Sequence, residues 1–69
     1  MKNLIYIFQN NSIKLVINKD IIGYYLIVYK DPTSETSSED YLVDSLEEAF
    51  QTAEDKFGIS KNEWSFCPP

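Results

Sequence analysis

Ser45-Leu46-Glu47-Glu48-Ala49-Phe50-Gln51-Thr52-Ala53-Glu54-Asp55-Lys56-Phe57-Gly58 is the stretch on which the fold turns. Leu46, Ala49, Phe50, Ala53 and Phe57 recur at i, i+3, i+4, i+7 and i+11, the apolar stripe of an amphipathic helix. Ser45 and Glu48 fit a capping box, in which the Ser45 hydroxyl accepts from the Glu48 amide and the Glu48 carboxylate reaches back to the Ser45 amide. Gly58 stands where a left-handed C-cap is wanted, and Ile59 supplies the apolar contact that accompanies one. Downstream, Ser60-Lys61-Asn62-Glu63 repeats the S-x-x-E spacing, so a short helical turn is expected to carry Trp64 back against the core. Residues 65–69 read as a tail, because neither Pro68 nor Pro69 has an N–H to give.

Upstream of Ser45 the apolar period changes from helical to two. Leu4 to Gln9 is a β-rich run closed by Asn10-Asn11-Ser12, whose short polar side chains favour a turn. Ile13 to Asn18 alternates, with Ile13, Leu15 and Ile17 on one face and Lys14, Val16 and Asn18 on the other. Asn18-Lys19-Asp20 reads as the next turn, and Ile21 to Lys30 as the longest strand, with Gly23 marking a bulge, a bend or a close backbone approach. Residues 31–39 form a polar loop, expected to be mobile. Asp40 to Asp44 supplies a fourth strand with Tyr41 and Val43 on one side and Leu42 on the other.

The order β-β-β-β-α indicates an α+β fold, a four-stranded antiparallel meander with one amphipathic helix packed on one face, in a single domain over residues 1–69. A helix about 10 Å across cannot cover both faces of a sheet roughly 15 to 19 Å wide. Strand three is apolar on both sides, with Ile22, Tyr24, Leu26 and Val28 on one and Ile21, Tyr25, Ile27 and Tyr29 on the other. One of these faces is therefore left over. The candidate surface is Tyr25, Ile27 and Tyr29, or their alternates Tyr24, Leu26 and Val28. It serves self-association or partner binding unless the loop and the tail, with Trp64 and Phe66, cover it.

Composition excludes more than it assigns. At 69 residues with 43% hydrophobic residues, the chain is long enough for one small core and too short for a multidomain enzyme. It contains no His and no Arg, so imidazole-based nucleophile pairs, imidazole metal ligands and guanidinium forks for phosphate or guanine are all missing. The single Cys67 cannot close an internal disulfide. No apolar run approaches the roughly 20 residues of a membrane span, and the start of the chain lacks a small-residue cleavage site, so a cytoplasmic location is expected.

The net charge of −5 is unevenly placed, with residues 1–30 at +3 and residues 31–69 at −8. Eight carboxylates and no basic residue lie between Glu35 and Asp55. Asp44, Glu47, Glu48, Glu54 and Asp55 are the candidate docking face for a basic protein partner, set against the plain alternative of a solvated helix face. The same field disfavours direct binding to nucleic acid. Catalysis by the neighbouring pairs Glu47-Glu48 and Glu54-Asp55 is not expected, because adjacent helical residues splay about 100° apart into water. Residues 31–40 lack the spacing and central glycine of a calcium loop, and Gly23 and Gly58 do not make a phosphate loop, so neither metal nor cofactor is expected.

Tyr41 to Ile59, followed after four residues by Trp64, resembles the end of many small bacterial proteins of uncharacterised function, including immunity-type proteins that neutralise toxins. There a strand leads through D-S-L-E-E-A to a helix ending in F-G-I and a later tryptophan. The resemblance covers 24 of the 69 residues and implies an intracellular binding protein, with no site residues attached. The sequence thus supports a non-enzymatic protein-binding module, an inhibitor or immunity-like protein whose acidic helix and loop meet a basic partner. The alternative is a small structural or regulatory homodimer that buries the tyrosine-rich sheet face.

Overall fold

The structure, a computed structural model, describes residues 3–66. Its elements are β1 (Asn3–Gln9), β2 (Lys14–Asp20), β3 (Gly23–Tyr29), β4 (Glu39–Val43), α1 (Leu46–Phe57), a 3-10 turn (Lys61–Glu63) and β5 (Ser65–Phe66). All neighbouring strands are antiparallel, and the sheet order is β4-β3-β2-β1-β5. The fold is α+β, as expected, but the expected four-stranded meander gains a fifth strand. Ser65 and Phe66, read as part of a tail, pair with Ile7 and Tyr6. Geometry explains the extra strand. From β4 to the far side of β1 is four spacings of about 4.8 Å, roughly 19 Å, and the 12 residues of α1 rise about 18 Å. The helix carries the chain across the sheet and returns it beside the open edge of β1. Cys67 to Pro69 lie outside the described residues.

The helix begins and ends where the sequence places it. The Ser45 hydroxyl accepts from the Glu48 amide at 3.1 Å, and Gly58 caps the other end at φ 72°. The Gly58 N–H donates to the Glu54 carbonyl and the Ile59 N–H to the Ala53 carbonyl. One arm of the expected capping box is redirected: the Glu48 carboxylate accepts from the Asp44 amide at 3.1 Å, one residue before Ser45. Ala49 and Ala53 are fully buried, and their small side chains let the helix approach the sheet closely. The core beneath it comprises Leu15, Ile17, Leu26, Val28, Val43, Phe50, Ile59 and Trp64. Phe50 packs edge-on against Tyr6 at 5.1 Å and against Trp64 at 5.8 Å between ring centroids.

The β2–β3 turn differs from the sequence reading. Asn18, Lys19 and Asp20, taken as turn formers, continue β2 and pair with Tyr25, Tyr24 and Gly23. The two-residue turn is Ile21-Ile22, which leaves these isoleucines 96% and 68% exposed and not in β3. Two contacts override the local propensities. Gly23 pairs with Asp20 in the ladder, at a place where only a residue without a Cβ fits beside the Val43 carbonyl, the third of the roles anticipated for it. Asp20 ends β2 by accepting the Ile21 amide on its carboxylate at 2.8 Å. The β1–β2 turn follows expectation, with the Asn10 carboxamide oxygen accepting from the Ser12 and Ile13 amides. In the long loop the Asp31 carboxylate accepts from the Thr33 amide and hydroxyl, and Glu39 leaves the loop to pair with Val28 in β4.

Candidate functional site

The faces of the sheet follow from strand register. Tyr6 and Phe8, Leu15 and Ile17, Tyr24, Leu26 and Val28, Tyr41 and Val43 all join the core under α1. Trp64 enters that same core, and Phe66 sets its ring 5.4 Å from Tyr6. Both late aromatics thus serve the helix side, and among the described residues no helix covers the opposite face. Of the two candidate sets on strand three, Tyr24, Leu26 and Val28 are under the helix, while Tyr25, Ile27 and Tyr29 lie on the open face.

Three cross-strand rows build the open face. One runs Leu4, Asn18, Tyr25, Leu42, the next Ile7, Val16, Ile27, Asp40, and the third Gln9, Lys14, Tyr29. Val16 and Ile27 are each only 8% exposed although they stand apart from the core under α1, so they form the floor of a second, shallow apolar surface. Leu4 and Leu42, 40% and 49% exposed, mark its two lateral margins. The Lys14 ammonium lies 4.5 Å from the centre of the Tyr29 ring, and such a contact lowers the cost of keeping a charge on an apolar surface. Lys14, Val16 and Leu42 were legible from strand alternation. Leu4 was not, because it reaches this face through a register shift between Leu4 and Tyr6 that leaves Ile5 unpaired. Such bulges carry no reliable sequence signal outside glycine.

The second candidate surface is on the other side of the molecule. At about 100° per residue, Glu47, Glu48, Gln51, Glu54 and Asp55 occupy an arc of about 120° on α1, outward from the stripe of Leu46, Phe50, Ala53 and Phe57. Glu48 is tied to the Asp44 amide, which draws the connecting segment against the first helical turn. Asp55 accepts from the Gln51 side chain at 3.0 Å, and Glu47 meets Lys61 at 3.3 Å with both side chains mostly in water. All five predicted acidic residues, Asp44, Glu47, Glu48, Glu54 and Asp55, are exposed.

The lysines are disposed differently. Lys14, Lys19, Lys56 and Lys61 stand over the rings of Tyr29, Tyr24, Tyr41 and Phe50, and Lys30 lies 3.1 Å from the Glu39 carboxylate. Around Glu39 the charges are locally ordered: the Tyr41 hydroxyl donates to its carboxylate, and this bond, with that of Lys30, holds the carboxyl below its ordinary pKa. The same bond raises the Tyr41 phenol. Asp31 is likewise lowered, first by the Thr33 amide and then by the Thr33 hydroxyl. Among the described residues no cluster of three or more His, Cys, Asp or Glu is placed to hold a metal ion, and no helix is long and apolar enough to cross a membrane. Compared with known proteins, the chain matches no family model, no curated protein and no solved structure.

Proposed function

We propose that this chain is a non-catalytic protein-binding module that presents the outer face of α1 to a basic surface on a partner protein. The observation that carries the reading is the separation of charge. Four carboxylates share one outward arc of the helix, where among the described residues Glu47 alone meets a lysine, Lys61, whereas the other described lysines are drawn onto rings of the chain or onto Glu39. Exposed carboxylates grouped in this way contribute little to folding, because isolated surface pairs are worth at most about 1 kcal/mol and like charges repel. They act at a distance instead. A field of one sign steers an oppositely charged surface into encounter and raises the association rate more than it slows dissociation. An inhibitor or immunity-like role, in which the chain masks a basic functional surface, is the form of this reading that the resemblance of Tyr41 to Trp64 implies.

The test uses a variant carrying Glu47→Lys, Glu48→Gln and Asp55→Lys, which brings the formal net charge from −5 to neutrality. Gln also serves in capping interactions, so position 48 keeps an acceptor for the Asp44 amide. A partner recovered from the host on immobilised wild-type chain is then followed by stopped-flow mixing. The wild-type association rate should fall steeply as salt rises from about 0.05 to 0.5 M, over which the Debye length shrinks well below about 10 Å. The variant should associate slowly throughout. An unchanged rate for the variant would remove the basis of this reading.

A further inference from the structure

We infer that the open sheet face is a self-association surface, and that its occupant is a second copy of this chain packed face to face with its strands aligned. Three observations select this occupant. The first is charge: among the described residues the open face holds only Lys14 within it and Asp20 and Asp40 at its rim, while the acidic arc of α1 points the other way. A second copy approaching here meets a nearly neutral surface. Approach from any direction facing the helix brings like charges together, and a basic partner finds little on the sheet face to attract it.

The second observation is self-complementarity. A two-fold axis parallel to the strands, between β2 and β3, lays β3 of one copy over β2 of the other. The register then sets Ile27 opposite Val16, Tyr25 opposite Asn18, Tyr29 opposite Lys14, Leu42 opposite Leu4 and Asp40 opposite Ile7. Four of the five pairings are chemically favourable: apolar on apolar at the centre and at the Leu4–Leu42 margin, a phenol near a carboxamide, and an ammonium near an aromatic ring; the fifth, Ile7 with the exposed Asp40 carboxylate at the rim, is not. The Ile21-Ile22 turn joins β2 to β3 and so lies at the end of this axis, where the turns of the two copies meet. That placement gives a use to two isoleucines that the folded monomer leaves in water.

The third observation is area. Three seven-residue strands about 23 Å long and the five-residue β4, about 4.8 Å apart, give a footprint on the order of 400 Å² per copy in flat projection. With side-chain relief and the isoleucine turn, the total removed from water reaches roughly 1,000 to 1,200 Å², the lower margin for a specific interface. The dimer is therefore weak, with a dissociation constant in the micromolar to millimolar range.

Sedimentation equilibrium on the full chain, from about 10 μM to 1 mM, should show the weight-average mass rising from one copy toward two, and added salt should not weaken the association because apolar burial is not screened. The geometry is tested by paired substitutions at the two margins. Leu4 and Leu42 of one chain are three strand spacings apart, about 14 Å, too far to interact within a copy. Leu4→Glu with Leu42→Glu sets like charges across the axis and should weaken dimerisation on the order of 100-fold. Leu4→Lys with Leu42→Glu sets opposite charges there and should restore most of it. Trp64 emission, reporting from the far side of the sheet, verifies that each variant is folded. A wild-type chain that stays monomeric at 1 mM overturns the proposal, even if it binds a hydrophobic dye, because the face then has another occupant. A dimer insensitive to Leu4→Glu with Leu42→Glu, or weakened equally by both pairs, overturns the aligned arrangement. Neither outcome depends on the acidic helix face, whose association would show the opposite response to salt.

Discussion

Gly23 and Val43 meet across β3 and β4 so closely that a Cβ on residue 23 would overlap the Val43 carbonyl oxygen. The obstacle is backbone, which cannot rotate aside as a flexible side chain would. Gly23→Ala should therefore force β4 away from β3 and cost about 1–3 kcal/mol. In a domain of this size that lowers the melting temperature by roughly 4–20 °C. Gly58 offers the contrast. A Cβ there meets nothing within 4 Å, so Gly58→Ala is penalised only by its left-handed φ of 72°, about 1–2 kcal/mol. Thermal denaturation of both variants checks the pair, and a Gly23→Ala protein as stable as wild type would contradict the close approach.

The two ends of the Ser45–Glu48 interaction should separate on substitution. Ser45→Ala removes the acceptor for the Glu48 amide and should cost about 1 kcal/mol, or roughly 4–8 °C. Glu48→Ala removes the acceptor for the Asp44 amide instead. Its diagnostic effect is local: amide hydrogen exchange should accelerate at Asp44 and not at Ser45. Acceleration at Ser45 alone would restore the conventional capping box.

Legibility in the sequence follows how local each determinant is. The helix could be read from Ser45 to Gly58 because cap, stripe and C-cap lie within one contiguous stretch. Tyr41, Leu42 and Val43 sorted onto the right sides because alternation is a local rule. Ser65-Phe66 could not be read as a strand, since two residues have no period and their pairing depends on where a helix of this length ends. The Ile21-Ile22 turn was hidden for a similar reason: the close approach that requires a glycine at position 23 comes from Val43, twenty residues further on. For the candidate surfaces, residue types and spacing gave the acidic arc and both faces of strand three. Which face stays open was settled by α1 packing on Leu26 and Val28, a tertiary choice that strand three leaves balanced.

Trp64 is buried with no hydrogen-bond partner for its indole N–H, the one such buried side-chain polar atom among the described residues. An unmet donor costs about 1–3 kcal/mol of desolvation. Trp64→Phe removes that cost while losing part of the ring's buried area, about 1–2 kcal/mol at 25 cal/mol per Å². The two effects oppose, so Trp64→Phe should change stability by less than about 1 kcal/mol, whereas Trp64→Ala should cost about 3–5 kcal/mol. Urea denaturation followed by circular dichroism measures both. A loss above about 2 kcal/mol for Trp64→Phe would mean that the indole N–H has a partner in solution, such as a bound water.

The bond between Tyr41 and Glu39, with Lys30 on the same carboxylate, predicts a stability that declines at both ends of the pH scale. Glu39 has its folded pKa lowered, chiefly by the Tyr41 hydroxyl and then by Lys30, so its contribution is complete above the unfolded glutamate value and is lost as pH falls through the folded one. Tyr41 has its folded pKa raised by the same bond, so its contribution is complete below the unfolded tyrosine value and is lost as pH rises through the folded one. Asp31, lowered by Thr33, adds only to the acid side. Because Asp31 is exposed and Glu39 and Tyr41 are only partly buried, both declines should be shallow and should flatten further in salt. Tyr41→Phe removes the shared bond and should reduce the acid and alkaline declines together, leaving the acid part due to Asp31 and Lys30 in place. Melting temperatures measured from about pH 3 to 11 distinguish this from a general acid effect. If Tyr41→Phe altered the alkaline limb and not the acid one, the two titrations would not be coupled through a common hydrogen bond, and the lowered Glu39 value would have to come from the lysines, Lys30 first and then Lys56.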